Sequence, residues 1–257
     1  MRKLAIFLLL VASGAVGIKA DTINLGTAGS YAVLAGSTAT NTGPTNLFGD
    51  LGLWPGTSIT GFPPGIVHGT IHDSDAAAML AQSDLITAYG VAAGLPCTDN
   101  LTGTDLGGLT LTPGVYCFDS SAQLTGTLTL DAQGNSNAFF LFQMGSTLTT
   151  ASSSDVDVIN GGKDANLYWQ VGSSATLGTD TAFAGNILAL TSITLDTRAS
   201  IECGRALARN GAVTMDNNVV SIDSGCESGG GQTPEPGTLG LLSLGSCMIA
   251  FLRSKRR

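Results

Sequence analysis

A short pattern recurs through the second half of the chain: a threonine between two mainly apolar residues. It occurs at residues 128–130, 148–150, 175–177, 193–195 and 213–215. Successive occurrences begin about 20, 27, 18 and 20 residues apart. A repeat near 20 residues is typical of the coils of a solenoid, in which every coil adds one strand to each face. The pattern therefore predicts an all-β chain built from stacked coils.

Side chains alternate between the two sides of a strand, so the apolar residues of each triplet would point inward and the threonines outward. This predicts an outer column of Thr129, Thr149, Thr176, Thr194 and Thr214. The residues two positions earlier predict a second, parallel column of Thr127, Thr147, Ser174 and Ser192. Neighbouring strands lie about 4.8 Å apart, so the columns would present methyl and hydroxyl groups at regular spacing, suited to ordering water as ice does. The alternative interpretation is that threonine simply suits exposed strands.

One segment of the chain predicts a helix. Residues 74–93 contain no proline and are rich in Ala, Leu, Met and Gln, which favour helix, and Asp73 or Ser74 could cap its start. The apolar residues that share one stripe are Ala78, Ala81, Leu85, Tyr89 and Ala92. Three continuously apolar segments, 138–143, 166–171 and 185–190, predict strands buried on both sides, and the helix is their natural cover.

Composition and motifs argue against catalysis and against a nucleic-acid partner. The net charge is -8, whereas phosphate binding needs clustered Lys and Arg. The sequence has no Gly-x-Ser-x-Gly elbow and no phosphate loop. His68 and His72 precede the helix and lack the glutamate of a zincin, which favours turn or cap hydrogen bonding. Asp155 and Asp157 indicate an exposed strand rather than a calcium site. We expect neither enzyme activity nor a metal or cofactor.

The first 20 residues have the order of a secretory signal peptide. Basic residues at Arg2 and Lys3 precede an apolar run and then small residues. Cleavage is expected after Ala20, with Ala15 as the alternative site. An N-terminal membrane anchor is the competing interpretation, although the apolar run is short for a span.

The C-terminal end carries a second targeting pattern. A glycine-rich linker, 227–233, leads to Pro234, Glu235 and Pro236, then an apolar segment at 239–252 and a basic tail. This order resembles the Pro-Glu-Pro sorting signal of Gram-negative bacteria. The resemblance implies an anchored precursor that an exosortase-type enzyme processes outside the cell. An ordinary C-terminal anchor helix is the alternative.

Four cysteines remain if Cys247 is lost with the sorting segment. An even number in an exported protein favours disulfides. Sequence proximity favours Cys97 with Cys117 and Cys203 with Cys226, and the other two connectivities stay open.

Several longer motifs lie at residues 31–43, 49–52, 55–62, 111–116, 169–178, 183–189 and 204–208. They resemble the microbial ice-binding family of discontinuous β-solenoids, and the resemblance covers most of the chain between Ile23 and Ile222. Thr38-Ala39-Thr40-Asn41 resembles the Thr-Ala/Gly-x-Thr/Asn pattern of ice-binding faces in that family. The resemblance implies a right-handed β-helix of triangular section with one long helix alongside, and N-terminal strands inserted among later coils. It adds Thr38 and Thr40 to the candidate site.

Together these observations predict a signal peptide at 1–20, an ice-binding-like domain at 21–226, the linker, and a sorting signal with a short membrane segment at 234–257. The expected protein is exported to the surface or exterior of a Gram-negative cell and binds ice or ordered water. A matrix or adhesion protein that binds extracellular polysaccharide is the alternative function.

Overall fold

The computed structural model describes residues 23–161 and 166–222, and the targeting segments predicted at both ends lie outside these ranges. The described chain is mostly β, with one α-helix, α1 (Ala76–Gly94), and one 3-10 helix, η1 (Gly26–Ser30). The strands before α1 are β1 (Tyr31–Ala35), β2 (Thr38–Thr42), β3 (Asn46–Phe48), β4 (Asp50–Leu53), β5 (Ser58–Thr60), β6 (Ile66–Val67) and β7 (Ile71–Asp73). Those that follow it are β8 (Asp99–Asn100), β9 (Thr110–Leu111), β10 (Gly114–Phe118), β11 (Ala122–Leu124), β12 (Thr127–Asp131), β13 (Phe140–Met144), β14 (Leu148–Thr150), β15 (Asp155–Ile159), β16 (Leu167–Val171), β17 (Ala175–Leu177), β18 (Ala182–Ala189), β19 (Ile193–Leu195), β20 (Ser200–Ala208), β21 (Val213–Asp216) and β22 (Val219–Ser221).

The pairings between these strands are parallel and form three ladders. The threonine ladder is the 7-stranded sheet β11-β14-β17-β19-β21-β2-β5. The other sheet has 15 strands and divides into two ladders that share β18 and β20. The helix ladder runs β8-β10-β13-β16-β18-β20-β1-β4-β7. The third ladder runs β9-β12-β15-β18-β20-β22-β3-β6.

The long strands β18 and β20 join the two ladders because each bends at a corner. Their register shifts between Ala184 and Asn186, where Gly185 has a φ of 91°. A Cβ at Gly185 would lie 2.5 Å from the Leu167 side chain, so both the space and the backbone conformation require glycine. In these two coils the chain therefore turns from the third ladder into the helix ladder without leaving the strand.

The chain does not stack its coils in sequence order. The N-terminal strands pair with the last coil: Val33 lies opposite Ala206, Ala39 opposite Val213, and Asn46 opposite Val219. They extend one end of the stack, and the expectation that they insert among later coils is wrong. Helix α1 then returns the chain from β7, at this end, to β8 at the other. Its 19 residues span about 28 Å, which covers roughly six strand spacings.

The predicted helix and its buried stripe are confirmed, with one difference at the start. Asp75, rather than Asp73 or Ser74, is the N-cap, and its carboxylate accepts a hydrogen bond from the Ala78 amide at 2.9 Å. The stripe Ala78, Ala81, Leu85, Tyr89 and Ala92 is buried. It packs on the outward residues of the helix ladder, which include Leu141, Tyr168 and Leu188. This second core accounts for the apolar residues on both sides of those strands.

A separate core fills the space between the ladders. It centres on Trp169, which is 0% exposed and stacks on Phe142 at 4.2 Å between ring centroids. Phe183 packs on the other side at 4.8 Å, and the indole Nε1 donates to the Ala184 carbonyl at 3.0 Å. The interior is therefore closely packed by aromatic and aliphatic residues, which holds the three ladders in fixed positions.

A threonine ladder as the candidate functional site

The threonine ladder brings one residue from each of its seven strands into a single outward column. Thr176 lies opposite Thr149 and Thr194, and Thr214 lies opposite Thr194 and Thr40. Inward neighbours such as Ala175, Ile193 and Val213 are buried, whereas the column residues reach solvent. The full column, which we call the central column, is Gln123, Thr149, Thr176, Thr194, Thr214, Thr40 and Thr60.

Two residues predicted for these columns lie elsewhere. Thr129 and Thr127 belong to β12 on the third ladder, where Thr129 pairs with Asp157 and Thr127 with Asp155. The strand that pairs with Leu148 is β11, through Ala122. The strand β12 lies between β11 and β14 along the chain and has its own alternation of threonine and leucine, which the sequence analysis assigned to the wrong ladder.

The second column of the ladder lies at the corner where each strand begins. Its predicted members Thr147, Ser174 and Ser192 lie in register with Thr38, which the family resemblance added to the candidate site, and with residues that the sequence analysis did not include. Following the strand pairings, the column is Ser121, Thr147, Ser174, Ser192, Ala212, Thr38 and Ser58.

The hydroxyls of this second column are tied to the fold. Ser174 Oγ accepts a hydrogen bond from the Ser192 amide at 3.3 Å, and Ser192 Oγ accepts one from the Ala212 amide at 3.2 Å. Thr147 donates to Ser121 Oγ at 2.9 Å. These contacts link successive coils, so the second column holds the strands in register beside the central column.

The central column has fewer internal contacts. Thr40 donates to Thr214 Oγ1 at 3.5 Å, a long hydrogen bond that leaves both hydroxyls largely available to water. Neither column contains a charged residue. The surface therefore offers methyl groups and hydroxyls at a repeat of about 4.8 Å and carries no carboxylate.

Buried polar groups beneath the ladder fix its strands. Asn41 lies between Thr40 and Thr42, and its Nδ2 donates to the carbonyls of Gly43 at 2.9 Å and Gly61 at 2.8 Å. The hydroxyls of Thr150 and Thr181 lie 2.8 Å apart in the interior. Hydrogen bonds that are satisfied inside the core limit sliding of one coil over the next.

An ion pair ties two coils at the neighbouring corner. Arg198 Nε donates to Asp180 Oδ1 at 2.6 Å, and Arg198 Nη2 donates to Asp180 Oδ2 at 2.7 Å. These hydrogen bonds hold the pKa of Asp180 below its ordinary value of 3.8. Both side chains are exposed, so the pair sets geometry more than it adds stability.

The candidate metal residues have other roles. His68 stacks on Phe48 at 4.3 Å, and His72 Nδ1 lies 2.8 Å from Asp75 Oδ2 at the helix cap. Asp155 and Asp157 lie on the third ladder. Burial, and then the charge of Asp157, raises the pKa of Asp155. Within residues 23–161 and 166–222, no group of His, Cys, Asp and Glu could hold a metal ion.

Cys97 and Cys117 form a disulfide, with Cα atoms 5.8 Å apart. It joins the segment that follows α1 to β10, near the end of the stack. Cys203 is also disulfide-bonded, and its predicted partner Cys226 lies outside the described residues. Pro234, Glu235, Pro236 and the expected membrane segment are outside them too. In the part of the chain that the structure describes, no helix is long and apolar enough to cross a membrane.

The sequence analysis missed five residues of the two columns: the apolar Ala212 and four polar residues, Gln123, Thr60, Ser58 and Ser121. Ser58-Ile59-Thr60 has the same outward, inward, outward alternation as Thr38-Ala39-Thr40, so Ser58 and Thr60 could have been found from the sequence. Ser121 and Gln123 could not, because Gln123 is not a threonine and two further strands, β12 and β13, separate β11 from β14 along the chain.

Comparison with known proteins gives a consistent result. Residues 33–221 match the Ice-binding-like family, and residues 232–257 match the PEP-CTERM protein-sorting motif. An ice-binding protein of Nostoc sp. (strain HG1) is 56% identical over all of this chain and 96% of its own length. An ice-binding protein of Flavobacterium frigoris (strain PS1) is 34% identical over 79% of this chain and 77% of its own length.

Solved structures resemble the described domain. The crystal structure of an ice-binding protein from an Antarctic biological consortium has a TM-score of 0.76 and 52% identity, covering 78% of this chain and 90% of its own. That of an ice-binding protein from the Antarctic ascomycete Antarctomyces psychrotrophicus has a TM-score of 0.75 and 42% identity, covering 78% and 98%.

Proposed function

Because the chain belongs to the ice-binding-like family, we propose that it binds ice through the central column of the threonine ladder. The observation that carries the proposal is the register: seven strands place one residue each in a single uncharged column. The relatives that match over most of the chain are ice-binding proteins, which supports the same function here.

The mechanism is adsorption without a chemical reaction. Each threonine presents a methyl group and a hydroxyl on a side chain with restricted rotation. The methyl groups exclude disordered water, and the hydroxyls hold water at the spacing of the strands. Each contact is weak, so the gain depends on a rigid array that loses little entropy on binding. The closely packed core and the buried hydrogen bonds beneath the ladder supply that rigidity.

We further infer that the three ladders enclose a right-handed solenoid of triangular section. Three parallel ladders with a fixed order of strands in each coil support this architecture. The ice-binding face would then be one side of this solenoid, the threonine ladder. Helix α1 leaves it uncovered, because α1 packs on the helix ladder.

The targeting segments complete the proposal. A signal peptide at 1–20 would direct export, with the ice-binding-like domain spanning 21–226 and the linker 227–233. The sorting motif would anchor the precursor through 239–252 until an exosortase-type enzyme processes it. The protein would then act at the surface or outside of a Gram-negative cell.

An ice-recrystallisation assay tests this function. Purified protein should keep ice grains small at concentrations at which bovine serum albumin has no effect. Unchanged grain growth would overturn the proposal. Retention by extracellular polysaccharide, together with no effect on ice, would instead favour the adhesion alternative.

A further inference from the structure

Two asparagines of the chain are followed by glycine, Asn160 before Gly161 and Asn210 before Gly211. An Asn-Gly pair can lose ammonia, because glycine has no side chain to shield its amide nitrogen from the asparagine carboxamide. This nitrogen must approach the carboxamide carbon closely, so the reaction depends on how freely the local backbone opens. The two pairs are identical in sequence, but the structure holds them in different ways.

Hydrogen bonds hold the second pair in place. Asn210 and Gly211 lie at the corner between β20 and β21, beside the threonine ladder. The Gly211 amide donates to the Thr191 carbonyl at 3.0 Å. The Gly211 carbonyl accepts from the amides of Gly36 at 2.9 Å and Ser37 at 3.0 Å, and the glycine is buried. A backbone rotation that brings the Gly211 nitrogen onto the Asn210 side chain would disrupt this set of bonds.

The first pair is held more loosely. Asn160 and Gly161 follow β15 in an exposed bend, with left-handed φ values of 61° and 86°. In the part of the chain that the structure describes, the Gly161 amide donates no hydrogen bond, and a Cβ on this glycine would meet nothing within 4 Å. Asn160 Nδ2 donates to Asp131 Oδ1 at 2.8 Å, and the Asn160 carbonyl accepts from the Gly134 amide at 2.8 Å. Both bonds lie at the surface, so water can replace them when the bend opens.

We propose that Asn160 is a site of spontaneous deamidation, and that the hydrogen bonds around Gly211 protect Asn210 from the same reaction. The Gly161 nitrogen attacks Cγ of Asn160 and gives up its proton, the bond from Cγ to Nδ2 breaks, and ammonia leaves. Water then opens the resulting succinimide at one of its two carbonyls, which yields aspartate or isoaspartate. The overall reaction consumes one water and releases one ammonia, and it needs no other reactant.

The product changes one contact at the end of β15. The hydrogen bond from Asn160, and then that from the Gln133 amide, hold the pKa of Asp131 below its ordinary value of 3.8. A carboxylate at position 160 would replace the first of these bonds by repulsion between like charges. Since β15 belongs to the third ladder, the central column of the threonine ladder would stay unmodified. This inference therefore does not depend on what the central column binds.

Ageing of the full protein at mildly alkaline pH, below its melting temperature, tests the site. Peptide mass spectrometry locates each conversion of an amide to an acid, and chromatography separates the isoaspartate form. In the folded protein, Asn160 should react at least tenfold faster than Asn210, which must first break the more extensive set of hydrogen bonds. In urea with reduced disulfides, the two positions should react at similar rates, because only the shared Asn-Gly sequence then matters.

Two matched variants provide a second readout, the ammonia released by the folded protein. Asn160→Gly keeps a residue that accepts the left-handed φ and removes the carboxamide, so the release should fall severalfold. Asn210→Gly, with the same chemical change, should release ammonia at the wild-type rate, and circular dichroism would show that both variants are folded. Equal reaction of Asn160 and Asn210 in the folded wild type would overturn the proposal. So would undiminished release by Asn160→Gly, or an Asn160 that stays intact in the folded protein while the urea-denatured chain reacts.

Discussion

Thr194→Tyr tests the proposed ice-binding column at its centre. On the threonine ladder, Thr194 is the fourth of seven column residues, with three on either side. Its side chain points to solvent, whereas its neighbours Ile193 and Leu195 are buried. A tyrosine should therefore leave the fold intact and project above the otherwise flat array.

The structure gives the size of the expected effect. Seven positions at about 4.8 Å form an uninterrupted column about 29 Å long. A tyrosine at the fourth position leaves two runs of three positions, each about 10 Å long. The same change at Thr60, at the end of the column, leaves six positions over about 24 Å. If binding requires a continuous array, Thr194→Tyr should lose well over half of the activity and Thr60→Tyr only a small part.

Thermal hysteresis, measured at equal protein concentration, distinguishes these variants. Thr129→Tyr is the control, because Thr129 lies on the third ladder and should keep full activity. Circular dichroism and the melting temperature would show that all three variants are folded. Full activity in folded Thr194→Tyr, or a larger loss in Thr129→Tyr, would refute the assignment of the site to the threonine ladder.

Three further predictions concern stability. Trp169→Ala should cost roughly 3–5 kcal/mol in chemical denaturation, because it empties the stacked core, and a cost below about 1 kcal/mol would contradict that packing. Replacing Cys97 and Cys117 by serine, which removes a disulfide with a sequence separation of 20 and keeps that of Cys203, should lower stability by up to about 3 kcal/mol, and an unchanged melting temperature would mean that the end coil does not need it. Acid should destabilise the domain: hydrogen bonds from the Ala78 amide and then His72 lower the pKa of Asp75, and Arg198 lowers that of Asp180. A carboxylate whose pKa is lowered in the folded protein stabilises the fold above its ordinary pKa of 3.8, and this stability is lost as the pH falls through the lower folded pKa. A melting temperature that stays constant when the pH is lowered below about 4 would contradict these contacts.

Much of the fold could be predicted because the strands of a parallel ladder repeat a local pattern. The alternation around Thr176, Thr194 and Thr214 predicts the threonine ladder correctly, because each of these triplets lies on a strand of that ladder. The strand β12, on the third ladder, has its own Thr-Leu-Thr-Leu alternation. Alternation shows which side of a strand faces the core, but it does not show which ladder the strand joins. This is why Thr127 and Thr129 were misplaced.

The order of the coils could not be predicted from local sequence patterns, for a related reason. Nothing in β1–β3 alone shows that they pair with β20–β22, since pairing between distant strands depends on the whole stack. The buried stripe of α1 did predict a helix over a flat surface. The helical pattern did not predict that apolar residues opposite this stripe, such as Leu80 and Ile86, are exposed in the structure.

Partition into growing ice tests the central claim most directly. A solution of fluorescently labelled wild-type protein would be frozen slowly, and the fraction in the ice compared with that in the remaining liquid. Binding through the central column predicts enrichment of the wild type and Thr129→Tyr in the ice, and exclusion of Thr194→Tyr. Exclusion of the wild type, like an ordinary solute, would contradict ice binding, and equal enrichment of folded Thr194→Tyr would contradict the role of the column.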